Sequence, residues 1–121
     1  MHNLGPLESA VMALLWEADD ALSVRQVVEG LLDRDLAYTT VATVLDNLHR
    51  KRWVDRERLG RVWFYRPRVQ ASEHAAALMR EALATSGSPR ATFLKFVGEI
   101  SEEDAAVLRE LLDESARPER R

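Results

Sequence analysis

Thr39, Thr43, Asn47 and Arg50 recur at helical spacing with Ala42 and Asp46 between them, and His49, Arg50, Lys51 and Arg52 crowd the trailing end of the same stretch. Short hydroxyl and amide groups on one helical face suit close approach to base edges, while guanidinium and ammonium groups neutralise phosphates. The chemistry open to this set is recognition rather than turnover. Arg56, Arg58, Arg61 and Arg66 follow at once. An isolated arginine is ordinarily a solvated charge, and a Thr near a helix start is ordinarily a cap. Their concentration in one short stretch favours phosphate and groove contact instead.

Those side chains need a helix to carry them. Val41, Val44, Leu45 and Leu48 supply its apolar face, which predicts a helix from about Tyr38 to Lys51. Ahead of it, Leu4, Leu7, Val11, Met12, Leu14 and Leu15 recur with the same period behind Pro6, a residue suited to the first helical position, so a first helix is predicted from about Pro6 to Ala18. Ser23 and Gln26 form a capping-box pattern, and Val24, Val27, Val28, Leu31 and Leu32 read as the stripe of a second helix reaching about Arg34, with Gly30 as an interior weak point. Trp53 to Arg58 and Arg61 to Arg66 are β-branched and aromatic runs split by Leu59-Gly60, which reads as a hairpin stopped by Pro67. Trp63 and Tyr65 share a face of that hairpin and are expected in the core.

Beyond Pro67 the pattern is helical throughout. Ser72 is placed to cap a segment holding Ala75, Leu78, Met79, Ala82 and Leu83, which Ser86-Gly87-Ser88-Pro89 breaks. A second segment, about Pro89 to Gly98, carries Phe93, Leu94, Phe96 and Val97. Ser101 with Glu102, Glu103 and Asp104 opens a third, on which Ala105, Leu108, Leu111 and Leu112 share a face; the tail from Ser115 is expected to fray. Three short amphipathic helices bury too little surface alone. Their economical partner is the same segment of a second chain, and the alternative is packing back onto the N-terminal part.

The 121 residues carry a net charge of −3, yet the sign alternates in blocks: −5 over residues 1–33, +5 over 34–68 and −3 over 69–121. Phosphate binding responds to local field, so a basic block confined to one motif outweighs an acidic total. With no cysteine, disulfides, Cys-ligated zinc and thiolate copper sensing are excluded. His2, His49 and His74 lie apart from one another and none has a ligand at metal spacing; His74 beside Glu73 reads as a solvent-facing pair. No nucleotide loop or acid/base constellation is present, no cofactor is expected, and an enzyme is not indicated. No apolar run approaches a membrane span and the start lacks a signal peptide, so a soluble, cytoplasmic chain without membrane insertion is expected.

Helix, helix, recognition helix, two-stranded wing and helical tail is the order found in winged helix-turn-helix regulators. More specifically, Leu7-Glu8, Val11-Met12, Leu15-Trp16, Ser23-Val24-Arg25, Ala37 to Leu45, Leu48-His49-Arg50-Lys51 and Arg61 to Pro67 resemble the penicillinase repressors of the BlaI/MecI type over nearly the whole chain. The resemblance implies a mainly α fold with a small β wing: a DNA-binding domain over residues 1–68 and a helical dimerisation domain over 69–121. It implies a cytoplasmic homodimer that blocks transcription from double-stranded operator DNA carrying a dyad related to TACA and TGTA. It assigns base reading to Thr39, Thr40, Thr43 and Asn47, with a helix cap as the other role open to Thr40. Phosphate contact falls to Arg50, Lys51, Arg58 and Arg61, and dimerisation to Leu78, Leu83, Phe93, Phe96, Leu108, Leu111 and Leu112.

Two departures from the family pattern bear on this. Arg52 stands where relatives commonly have Gly just past the recognition helix; a non-Gly residue in a left-handed cap costs on the order of 1 kcal/mol, so either the turn differs here or Arg52 gains a phosphate contact that offsets the strain. Resistance repressors are inactivated by a membrane sensor protease at an Asn-Phe bond; the matching pair here is Lys95-Phe96, so any regulatory protease is of unknown identity. Competing readings are a winged-helix adaptor that docks a protein through the Thr face or Phe64, and a small-molecule-sensing regulator, for which the helical segment is slight.

Overall fold

The computed structural model describes residues 4–116 and divides into two compact units between Leu78 and Met79. The first begins with helix α1 (Pro6–Glu17), in which Pro6 occupies the first turn and the Gly5 amide donates to Glu8 Oε1 at 3.0 Å. It buries Val11, Met12 and Leu15. A two-residue strand β1 (Leu22–Ser23) follows. Ser23 then caps α2 (Val24–Gly30) as its spacing predicts: the Gln26 amide donates to Ser23 Oγ at 3.2 Å and the Ser23 amide to Gln26 Oε1 at 2.9 Å.

The second helix is shorter than the periodicity predicts. The α-helix stops at Gly30 and the chain tightens into a 3-10 turn, Leu32–Arg34, that closes at Asp35 with φ 51°. Leu31 stays buried, but Leu32 is rotated out of the expected stripe and lies 73% exposed. Gly30 sits there for a packing reason as well, because a β-carbon on it would come within 2.6 Å of Leu14 Cδ2. The Leu14 side chain of α1 fills the space that a β-carbon at this position of α2 would need.

Helix α3 (Tyr38–Arg50) turns Val41, Val44, Leu45 and Leu48 inward. Each fully buried aliphatic chain of this size is worth roughly 2 kcal/mol of transfer free energy, set against the entropy of ordering it. The helix ends in a Schellman arrangement: the Arg52 amide donates to His49 O at 3.1 Å and the Trp53 amide to Leu48 O at 2.9 Å, with Arg52 at φ 69°. Of the two alternatives open for Arg52, a different turn is the one the backbone does not take: the residue keeps the left-handed conformation that glycine favours.

Strands β2 (Val54–Leu59) and β3 (Val62–Pro67) start one residue later than the sequence suggests. The Trp53 amide is committed to the end of α3, and Leu59 pairs with Val62, which leaves Gly60-Arg61 as the turn with Gly60 at φ 64°. The sheet has three strands in the order β1-β3-β2; β1 adds Leu22 opposite Tyr65 and Ser23 opposite Phe64. Two residues are too few for a periodicity to reveal, so this edge strand was not legible. Trp53, Val54 and Tyr65 join the helices in one core.

Helix α4 (Ala71–Thr85) begins ahead of Ser72, which therefore lies inside its first turn and is not its cap; the Gln70 amide donates instead to Glu73 Oε1 at 2.9 Å. His74 is likewise not solvent-facing. Its ring stacks on Trp16 at 5.9 Å and meets Trp53 edge-on at 5.0 Å, with Nδ1 buried and unpartnered. Trp16 Nε1 donates to Val69 O at 2.8 Å.

The second unit contains α5 (Pro89–Glu99), capped by Ser88 Oγ, and α6 (Glu102–Ala116), where Ser101 Oγ accepts from the Asp104 amide at 3.0 Å. Gly87, at φ 82°, stands between α4 and α5. No residue of α5 or α6 is buried in the single chain. Leu78, Phe93, Phe96, Leu108, Leu111 and Leu112 are exposed and Leu83 is half-buried. Among the described residues no helix is long and apolar enough to cross a membrane.

Candidate nucleic-acid interface

Helix α3 buries one face completely, and that fixes what the other can present. Thr39, Thr40, Thr43 and Arg50 are exposed and Asn47 half-buried. Thr43 Oγ1 donates to Thr39 O at 3.0 Å, a back-bond that spends the hydroxyl proton and leaves the oxygen able only to accept from other partners. Thr40 is not the cap of α3: that position belongs to Ala37, which makes no side-chain capping bond.

Asp46 is the hub of the surface. Its two oxygens lie 3.5 Å from Arg50 Nε on its own helix and 3.5 Å from Arg56 Nη1 on β2. Arg50 also donates to Asn47 Oδ1. Arg56 in turn lies over the Trp63 ring, 4.5 Å from its centroid, with Arg58 at 5.8 Å from the same ring. Arg58 Nε reaches Gly60 O at 3.2 Å. A continuous set of contacts thus runs from α3 to the turn of the hairpin, holding guanidinium groups along one surface.

This corrects the expectation for Trp63. Tyr65 is in the core, but Trp63, two residues nearer the turn, is 38% exposed and serves as a platform for arginine. The hairpin extends past the core, so the alternation that buries Val54 and Tyr65 at its base leaves Arg56 half-buried and carries Arg58 and Trp63 into solvent at its end. A pattern of period two gives the face and not the depth.

The basic residues are not equally free. Lys51 Nζ is 2.9 Å from both oxygens of Glu8, Arg66 pairs with Glu57 at 2.9 Å and Arg68 with Asp55 at 3.1 Å. Arg61, in the turn, has no ion-pair partner among the described residues. Burial opposes ionisation of Glu8, but the Gly5 amide and the Lys51 ammonium outweigh it and hold its carboxyl below the ordinary range. Among the described residues no cluster of His, Cys, Asp or Glu is fit to hold a metal ion.

Three helices with the third exposed along its polar face, backed by a three-stranded sheet whose hairpin carries arginine, define a winged helix-turn-helix. The penicillinase repressor family matches residues 4–114. Transcriptional regulator BlaI of Mycobacterium tuberculosis, from two strains, is 44% identical over 118 residues, covering 94% of this chain and 86% of the relative. The chain belongs to the penicillinase repressor family and is a winged-helix transcriptional regulator. The solved structure of AbfR in a disulfide-formed state shares the fold at a TM-score of 0.50 and 22% identity, over 92% of this chain and 74% of that one.

Proposed function

We propose that the chain represses transcription as a homodimer seated on a promoter dyad, with α3 in the major groove of each half-site and the hairpin of β2 and β3 against the backbone. The observation that carries this reading is the Asp46 bridge, which makes the exposed face of α3 and the arginines of the hairpin one surface. Thr39, Thr40, Thr43 and Asn47 would read base edges, and Arg50, Arg58 and Arg61 would contact phosphates. Lys51 would contribute field rather than a direct contact while Glu8 holds it. Half-sites related to TACA and TGTA fit the resemblance, and the controlled genes are a β-lactam response or another operon.

Dimerisation through 69–121 is supported by the apolar side chains of Leu78, Phe93, Phe96, Leu108, Leu111 and Leu112, which the single chain leaves exposed. A symmetric dimer matches a palindromic site with half-sites about one helical turn apart. Light scattering on the free chain, followed by titration of a duplex with both half-sites against one with a single half-site, tests it. Two chains per two-site duplex, and clearly weaker binding to the single site, is the expected result; a monomer that binds both duplexes equally would sink the dimer.

Cleavage at Lys95-Phe96 would require unwinding of α5, because that bond lies inside Pro89–Glu99. Signal-dependent proteolysis therefore needs either another bond or a protease that opens the helix. The adaptor reading draws on exposed Leu59 and Val62 beside the turn. Retention on heparin or random DNA at low salt separates the two, since an acidic adaptor would pass through.

A further inference from the structure

Resting on the reading of the chain as a DNA-binding protein, we infer that Asp46 is a specificity-determining residue: its carboxylate holds Arg50 and Arg56 as an internal counter-ion, which suppresses sequence-independent binding and keeps both guanidinium groups aimed for a site that fits. Asp46 is the only acid of α3 and stands opposite the buried stripe, among Thr39, Thr43 and Asn47. A carboxylate in that place opposes phosphate binding, because it repels the backbone and cancels neighbouring positive charge. Its presence on the face meant for DNA needs a reason.

Folding does not supply that reason. An Asp and an Arg four residues apart support a helix by themselves, but the second guanidinium comes from β2, where the Trp63 ring, 4.5 Å away, fixes it from another side. Ion pairs this open, with 51% of the Asp46 side chain and 69% of Arg50 accessible, add little to stability. The division of donors is more telling. Asp46 engages Nε of Arg50 and Nη1 of Arg56, each at 3.5 Å, and Asn47 Oδ1 accepts from Nη2 of Arg50. A guanidinium carries five N–H groups, so both arginines keep donors for a phosphate placed in line with them. What the carboxylate removes is net charge, since two cations against one anion leave +1. Random DNA is held by field and counterion release, which Asp46 lowers, whereas a matching site is held by donors already in place, which Asp46 preserves. Specificity is the difference of the two affinities, so weakening the first widens it.

The test supplies its own operator. Full-length wild type selects duplexes from a randomised pool, and the enriched duplex and a random-sequence duplex of equal length are then titrated by fluorescence anisotropy at several salt concentrations. The variants are Asp46→Asn, Arg56→Gln, Asp46→Asn/Arg56→Gln and Asp19→Asn, the last removing an exposed carboxylate beyond the end of α1. Circular dichroism melts accompany each variant.

Asp46→Asn should bind the random duplex about tenfold more tightly, with the slope of log K against log salt steeper by about 1, and should gain much less on the enriched duplex, so that the preference between them falls. In the Arg56→Gln background the gain on random DNA should shrink, because one of the two cations that Asp46 restrains is already gone. An Asp46→Asn protein that melts like wild type and binds random DNA with unchanged or lower affinity would overturn the inference while leaving DNA binding in place. Equal gains on the two duplexes would overturn it as well, in favour of plain repulsion, and so would a gain that ignores Arg56 or one that Asp19→Asn reproduces. Failure of wild type to bind or enrich any duplex would remove the DNA-binding reading itself and the role of Asp46 with it.

Discussion

Lys51 Nζ, at the end of α3, lies 2.9 Å from both carboxylate oxygens of Glu8 in the first turn of α1. The same carboxylate accepts the Gly5 amide, so one side chain closes the start of α1 and fastens the base of the recognition helix to it. Glu8 is well covered, with 16% of its side chain accessible, which lets the pair resist screening better than a surface pair does.

Replacing this carboxylate should have a pH signature. The folded-state pKa of Glu8 is depressed, so its contribution is present above the unfolded value near 4.3 and is lost as pH falls through the folded value. Glu8→Gln should cost about 1 kcal/mol in urea melts at pH 7. The gap from wild type should close in acid, below the depressed folded value. A gap of the same size at both pH values would mean that packing, not charge, is what Glu8 supplies.

Arg52 holds a left-handed conformation, φ 69°, at the residue that ends α3. Glycine adopts that conformation without a β-carbon clash, so Arg52→Gly should raise stability by about 1 kcal/mol, less the extra chain entropy of glycine. Arg52→Ala keeps the β-carbon and should bring no gain. Thermal melts of the two variants decide the matter: equal shifts would place the effect in lost charge instead.

The Leu14 side chain of α1 packs directly onto Gly30 of α2. Helix propensity alone favours alanine over glycine by roughly 1 kcal/mol. The added β-carbon, 2.6 Å from Leu14 Cδ2, forces that side chain to move, so Gly30→Ala should instead destabilise by about 1 kcal/mol. A double-mutant cycle with Leu14→Ala should show a coupling of similar size; an additive cycle would rule out the clash.

Much of this arrangement was legible in the residues. The periodicity of Val41, Val44, Leu45 and Leu48 places the face carrying Thr39, Thr43 and Asn47 outward because one helix cannot bury both sides, and Ser23 with Gln26 fixes the start of α2 chemically. What escaped depends on tertiary neighbours. The sequence shows Asp46 on the exposed face without revealing that β2 brings Arg56 to it. His74 was misplaced for the same reason, since the two tryptophans that enclose it come from α1 and from the residue after α3.

Thr43 is held in one orientation by its bond to Thr39 O, with the hydroxyl proton consumed. Base reading should then depend on the methyl group and on oxygen as acceptor. Thr43→Ser, which keeps the hydroxyl and removes the methyl, should lose about tenfold in preference for the dyad, and Thr43→Val should separate the acceptor from the methyl. If neither variant changes affinity or site preference, Thr43 does not read bases.

The proposed repressor depends on recognition of a particular DNA sequence by α3 and the hairpin. Fluorescence anisotropy at physiological salt, with a duplex carrying a TACA/TGTA dyad against a scrambled duplex of equal length, measures that directly. Sequence-specific recognition should give a preference on the order of a thousandfold for the dyad. Equal and weak binding to both duplexes would contradict recognition of this site.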